Sequence, residues 1–446
     1  MEPLKQRCYP ARPMSSNAGM STAPDSPSTI PSQSPLAIRD FRVYWIGQLI
    51  SLVGMWTQMV AQGWVITELT DKAATFGWLQ VISSIPMSLL IMPAGVVADR
   101  FDRRKILIVT QVCLAAVAFV FAALIHGGHL VLAYVYVIAA VSGSIAAFDF
   151  PAQSALVPQL VPPPLIPKAI GLNQAIFHGS RFLGPAVAAL LMWLWSPAAA
   201  FLANGLSYFA VIYSLSIIKS RPVAAGASAR KPGKGGMGEG LAYVRSHPVV
   251  LALIGLTGLV TAFIMPINIV FMPIIARDVF HADKTQFGIV MAASGLGAVI
   301  GSVGMMRVPA VARGKVIVGM VATATLGILT LSFARSAYVA APIMLVTSLS
   351  TSTGLGLAAT TIQVVVPEQL RGRVMGIYGM TFVSIMPPFA LLWGYVADAT
   401  SLPGLLRGLG LAFGVTALSL LAATGIWSMN PVAAHTGEGA PKAASA

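Results

Sequence analysis

Of 446 residues, 56% are hydrophobic and only 9% are Asp, Glu, Lys or Arg, with a net charge of +14 and a mean hydropathy of +0.80. Soluble domains average roughly 25% charged residues, so this composition excludes an ordinary water-soluble fold and points to a surface that faces lipid. The basic balance could also suggest nucleic acid, but its placement follows membrane topology, and no nucleic-acid partner is expected.

Residues 1–38, rich in Ser, Pro and Ala, read as a disordered cytoplasmic tail without the apolar core of a signal peptide. Six apolar runs follow within 39–218, each able to span about 30 Å of hydrocarbon: Val43–Ile66, Phe76–Ala98, Ile106–Ile125, Leu130–Phe150, Ile170–Leu194 and Ala198–Ile218. The segment 219–248, which begins "KSRPVAAGASARKPGKGGMGEG", is a Gly/Pro/basic cytoplasmic linker. Residues 249–429 then carry Val249–Ile275, Phe287–Met305, Val316–Ser332, Tyr338–Thr361, Val374–Ala397 and Leu405–Met429, and 430–446 form a second cytoplasmic tail. Runs of this length are helices and not barrel strands, which need only about ten residues. The expectation is an all-α integral membrane protein with twelve transmembrane helices in two six-helix halves.

Most of the 28 Lys and Arg residues fall on the side of the termini and the linker. The opposite loops hold Lys72, Arg277, Lys284, Arg335 and Arg407, and Arg181 alone lies within a span. Both termini are therefore expected in the cytoplasm, with the chain in the inner membrane. Cys8 and Cys113 make neither a disulfide framework nor a metal cluster. The sequence has no Walker loop, zinc cluster or nucleophile elbow, so neither enzyme chemistry nor a cofactor is expected.

The halves share a turn. "ALVPQL" (Ala155–Leu160) leaves the fourth run and "VVVPEQL" (Val364–Leu370) leaves the tenth, each a Val-Pro turn closing on leucine after one or two intervening residues, which suggests a duplicated transporter architecture. The second run ends in "GVVADRFDRRK". It resembles the major facilitator superfamily motif G-x-x-x-D-R-x-G-R-R through Gly95, Asp99, Arg100, Arg103 and Arg104, with Asp102 in place of the second glycine. The resemblance implies an inner-gate latch whose acidic residue, Asp99, faces the eleventh helix. "SRFLGPAVAAL" resembles the exporter motif of the drug/proton antiporters through Gly184 and Pro185, which would shape the fifth helix. With "FRVYWIGQLIS", "GWVITELT", "FDFPAQSALVPQLV" and "VPEQLRGRVMGIY", these segments look like the branch that holds the enterobactin exporter and macrolide-efflux-type proteins.

That resemblance implies a cavity lined by the first, fourth, seventh and tenth helices. Gln48, Ser51, Met55, Gln58 and Gln62 share one stripe of the first helix. Ser142 and Asp149 align on the fourth, and Thr261 and Asn268 lie on the seventh. Gln174, His178, Arg181 and Pro185 share one face of the fifth. Arg181 lies about 16 Å into the bilayer at 1.5 Å per residue, and a charge at that depth needs a cavity or a partner. Asp149 sits at a similar depth, so an Asp149–Arg181 pair is expected, with Asp149, or Glu68 at the outer end of the first helix, as a proton site. These residues suggest a monomeric, proton-coupled exporter of a small neutral or anionic molecule, siderophore-like or drug-like. The alternatives are an uptake or broad multidrug permease of the same fold, or a transport-inactive sensor or scaffold.

Overall fold

Without water to receive backbone N–H and C=O groups, an apolar chain in lipid must bond them internally, and long helices are the result. The computed structural model describes residues 34–218 and 237–425. Residues 1–33 of the first expected tail, the whole second tail, most of the expected linker and the side chains of Asp99 and Met237 lie outside the described residues. Residues 34–38, expected as disordered tail, instead carry a short turn, Pro35–Ala37, with Pro35 buried because Leu36 and Ile38 pack on the core. Twelve described helices are long and apolar enough to cross a membrane. They are α1 (Arg39–Leu69), α2 (Ala73–Arg100), α3 (Arg103–His126), α4 (Leu132–Leu156), α5 (Ile166–Leu194), α6 (Pro197–Ile217), α7 (Pro248–Asp278), α8 (Lys284–Gly304), α9 (Arg313–Leu331), α10 (Ala337–Val365), α11 (Glu368–Ala399) and α12 (Leu402–Thr424). No strand occurs among the described residues. A short helix, Met237–Ser246, precedes α7.

Proline does not stop several of these helices, and α4 thereby outruns its apolar run. α4 continues through Pro151 to Leu156, α5 through Pro185 and α11 through Pro387 and Pro388. In a bundle, neighbouring helices can answer the carbonyl that a proline leaves without its N–H. α7 responds differently, opening into wide i→i+5 turns over Val260–Ile264 and Pro266–Phe271. The carbonyl of Ala262, four residues before Pro266, accepts a hydrogen bond of 2.7 Å from the Trp393 indole of α11.

Four of the twelve helix starts are capped by local acids and hydroxyls, at Asp102, Asp283, Ser336 and Ser401. Asp102, the residue that departs from the superfamily motif, accepts from the Arg104 N–H at 2.9 Å and caps α3. Asp283 and Gln286 form a capping box on α8, and Ser401 caps α12. α2 does not end at Asp99 but runs to Arg100.

Packing repeats between the halves. α2 lies on α4 as α8 lies on α10, α3 on α6 as α9 on α12, and α1 on α6 as α7 on α12. The halves meet along α2–α11 and α5–α8. We call the end of the bundle where α6 leaves and α7 enters the linker end, and the opposite end the far end. Close approaches between the halves cluster in the far-end and central turns: Trp64 of α1 stacks on Phe287 of α8 at 5.9 Å, and Arg277 of α7 pairs with Asp71 at 2.9 Å. On the linker-end halves of α2, α5, α8 and α11, the backbone at Gly95, Gly171, Gly179, Gly304, Gly372, Gly376 and Gly379 faces open space among the described residues. The bundle is shut at its far end and parted at its linker end.

Candidate functional site

The middle of α5 carries the site because proline and glycine let two other helices come close there. A methyl group at Gly184 would lie 2.3 Å from the Trp56 Cβ, so only glycine admits α1 at this contact. The Thr57 hydroxyl donates to the Gly184 carbonyl at 3.0 Å and fastens α1 to α5. Pro185 removes the N–H that would bond the Arg181 carbonyl. α8 presents Gly295 to that carbonyl, where an added Cβ would sit only 2.1 Å from the oxygen. Carbonyl oxygens facing Cα–H groups are a recurring feature of such close helix contacts.

Arg181 itself extends over the face of Trp56, with its guanidinium carbon 5.3 Å from the ring centroid. No carboxylate bonds to it among the described residues. Trp56, Met59, Arg181, Pro185, Asn268, Ile269, Met291, Ser294 and Gly295 enclose a cavity of about 20 Å³, room for about one water. Two buried polar atoms of the lining residues have no partner, Trp56 Nε1 and Asn268 Oδ1, as do His178 Nδ1, Ser180 Oγ and Asn173 Oδ1 elsewhere on α5. Buried polar groups are normally bonded, so the bare Trp56 and Asn268 atoms leave the cavity cluster with capacity for a further partner.

Asp149 does not join this cluster. Its Oδ1 accepts from Thr110 Oγ1 at 2.6 Å and from Gln111 Nε2 at 2.9 Å, both on α3. The expected Asp149–Arg181 pair is therefore absent in this structure. Equal depth along antiparallel helices is not enough, because Asp149 faces α3 while Arg181 faces α1.

The other candidates divide in the same way. Asn268 and Pro185 line the cavity with Arg181. Gln58 accepts from Asn204 of α6 at 2.7 Å, and Thr261 donates to the Thr257 carbonyl of its own helix, so both are occupied within the bundle. Gln48 is buried, Gln62, Ser142 and His178 are half-buried, and Gln174 is exposed. Glu68 is exposed and accepts from the Trp64 indole one turn away at 2.9 Å. At the linker end, Arg104 donates to the carbonyls of Leu215 and Ser216 at the end of α6, and Arg103 reaches Ala98 and Ala155. Gly95 and Arg100 bring no second helix against α2 here; Gly95 has open space and Arg100 is exposed. Ser294 and Gly295, in a small-residue run without charge, carry no polar pattern to single them out. Trp56 was legible only as a mid-helix aromatic.

The transmembrane secretion effector family matches residues 30–435, nearly the whole chain. The chain belongs to that family. Members of this kind are major facilitator transporters and not enzymes, and the fold agrees. The chain is 28% identical to macrolide efflux protein A of Streptococcus pyogenes over 58% of its own length and 64% of that protein's, under two thirds of the relative. It is 22% identical to the staphyloferrin A transporter of Staphylococcus aureus, covering 60% of this chain and 67% of that one. It is 24% identical to the multidrug efflux pump Tap of Mycolicibacterium fortuitum, covering 77% and 86%. Among solved structures, a D-xylose–proton symporter superposes with a TM-score of 0.66 at 14% identity, over 88% of this chain and 98% of that one. A bacterial homolog of the human lysosomal transporter Spinster, in an inward-facing and unoccupied conformation, gives 0.65 at 13% identity, over 91% and 98%. These two likenesses concern the fold.

Proposed function

We propose that this transporter exports a small neutral or anionic molecule, siderophore-like or drug-like, in exchange for protons. The halves rock about a midplane site, exposing it alternately to either side. On this reading the linker end faces the cytoplasm, where the Lys and Arg residues gather, and the chain works as a monomer in the inner membrane. The observation that carries the proposal is Arg181. A guanidinium in the middle of the bundle, with an aromatic face and no carboxylate on it, repels cations and attracts anions in a low-dielectric setting. Its surroundings add the Trp56 N–H, so donors outnumber acceptors and oxygen-rich cargo is favoured. The efflux-type relatives support export as the direction.

Proton coupling rests on Asp149. Among the described acidic residues, it alone lies inside a span away from the helix ends. A carboxylate held by a hydroxyl and an amide can bind a proton and release it as the helices around it move.

The test is uptake into everted membrane vesicles of a catecholate siderophore, a macrolide and a cationic dye. Accumulation should collapse with an uncoupler and should favour the anionic or neutral cargo over the dye. Arg181→Ala should raise KM for an anionic cargo about tenfold or more, the size of one lost charge-assisted contact, and Arg181→Lys should restore part of it. Dye transport that ignores Arg181→Ala, with no anion transport, would reject this cargo class; flux that ignores the uncoupler would reject proton coupling.

A further inference from the structure

One five-residue pattern, G-x-V-A-D, occurs twice, at opposite ends of the bundle. α2 closes at the linker end with Gly95-Val96-Val97-Ala98-Asp99, and α11 closes at the far end with Gly394-Tyr395-Val396-Ala397-Asp398. These helices run antiparallel across the interface between the halves, so the end of each is set beside the beginning of the other. At the far end that meeting is complete. A Cβ on Gly394 would lie 2.7 Å from the Ala74 Cα, and one on Gly77 would lie 2.6 Å from the Leu391 Cα, so the two backbones touch. The Asp398 carboxylate then accepts from the Ala73 N–H at 2.6 Å and the Ala74 N–H at 3.1 Å, capping the first turn of α2. The Trp78 indole donates to the Tyr395 hydroxyl at 3.0 Å one turn deeper. Lys72, at the cap position of α2, offers no side-chain oxygen, so α2 depends on the other half for its cap. At the linker end, Gly95 faces open space.

We infer that Asp398 is the residue that latches the far gate: it holds the far end shut by capping a helix of the opposite half, and it must let go for cargo to leave there. A cap from the same helix would be kept in both states and would favour neither. A cap lent across the interface exists only while the gate is shut, so its full strength enters the balance between the two states. The bond is a carboxylate on two free N–H groups at the positive end of a helix dipole, which makes it stronger than a neutral contact. Asp398 is exposed, so its release leaves no bare charge in hydrocarbon. The shared G-x-V-A-D pattern makes this the far-end counterpart of the Gly95–Asp99 segment expected to latch the inner gate, and rocking halves would engage only one of the two at a time.

This inference rests on the alternating-access reading and is independent of the cargo. The test uses the full chain in lipid nanodiscs with Cys8 and Cys113 replaced by Ser. Spin-label pairs are placed at exposed positions on opposite halves: His129 and Arg335 at the far end, Lys168 and Val311 at the linker end. Asp398→Ala should lower the ratio of shut to open far gate about tenfold, lengthening the far-end distance and shortening the linker-end one. Asp398→Glu should bring the distribution back toward that of the parent protein. Gly77→Leu, a wedge in the same contact, should open the far end by steric force alone. If the wedge opens the far end while Asp398→Ala leaves both distances unchanged, the latch is rejected and the rocking reading stands. If the wedge opens the far end and the linker end does not close, rocking is rejected; a far-end shift in Asp398→Ala restored by Glu still supports the latch.

Discussion

At the scale of single residues, partners decide roles, and Asp149 shows why partners are hard to read from a chain. Its span, its depth and its isolation from other acids were legible. Its partner was not, because depth along a helix is a one-dimensional count, whereas contact also requires that two helices turn the same faces together. Asp149 turns to Thr110 and Gln111. An amide of the same shape can keep a bond to Thr110, so Asp149→Asn should fold and bind cargo yet lose uncoupler-sensitive accumulation in vesicles by tenfold or more. Glu68→Gln should change accumulation by less than twofold, since Glu68 is an exposed carboxylate bonded only within its own turn. The glutamine stripe of α1 was legible as polar, but Gln58 turned out to serve Asn204 rather than the cavity.

At the scale of helices, proline positions were plain in the sequence, and the groups that answer them were not. Pro185 announces that the Arg181 carbonyl loses its usual donor; that Gly295 of α8 covers it is a fact of packing between halves. Gly295→Val would force the side chain into that oxygen and push α5 and α8 apart. Overpacking of this kind costs about 1–3 kcal/mol, visible as a lower unfolding temperature in detergent. Pro266 poses the same problem on α7, where Trp393 supplies an indole N–H to Ala262. Trp393→Phe keeps the ring stack with Phe263 and Phe389 but removes the donor. It should destabilise by about 1–3 kcal/mol, the cost of one buried group left unsatisfied, read as a lower unfolding temperature in detergent.

At the scale of the molecule, twelve spans and a duplicated plan were legible because lipid enforces long apolar helices and a Val-Pro turn closing on leucine follows the fourth span of each half. Which end stands open was not, since one sequence must encode both arrangements of a rocking bundle. The structure opens the linker end. Gly179→Cys should therefore react with a membrane-impermeant thiol reagent added from the linker side, in a background lacking Cys8 and Cys113, and Phe287→Cys, stacked against Trp64, should react at least tenfold more slowly. The wide turns of α7 have a consequence for how the gene can be edited. A stretch that holds more residues per turn than its neighbours behaves as a spare link. Losing one residue between Val260 and Phe271 would tighten the coil to ordinary α geometry, while Arg277 beyond it stays clasped to Asp71. The same loss in the regular part of α1 would rotate everything downstream by about 100° and strip its contacts. Single-codon deletions along the two helices, scored by monodisperse expression, should be survivable in that one window of α7 and nowhere in the matching turns of α1.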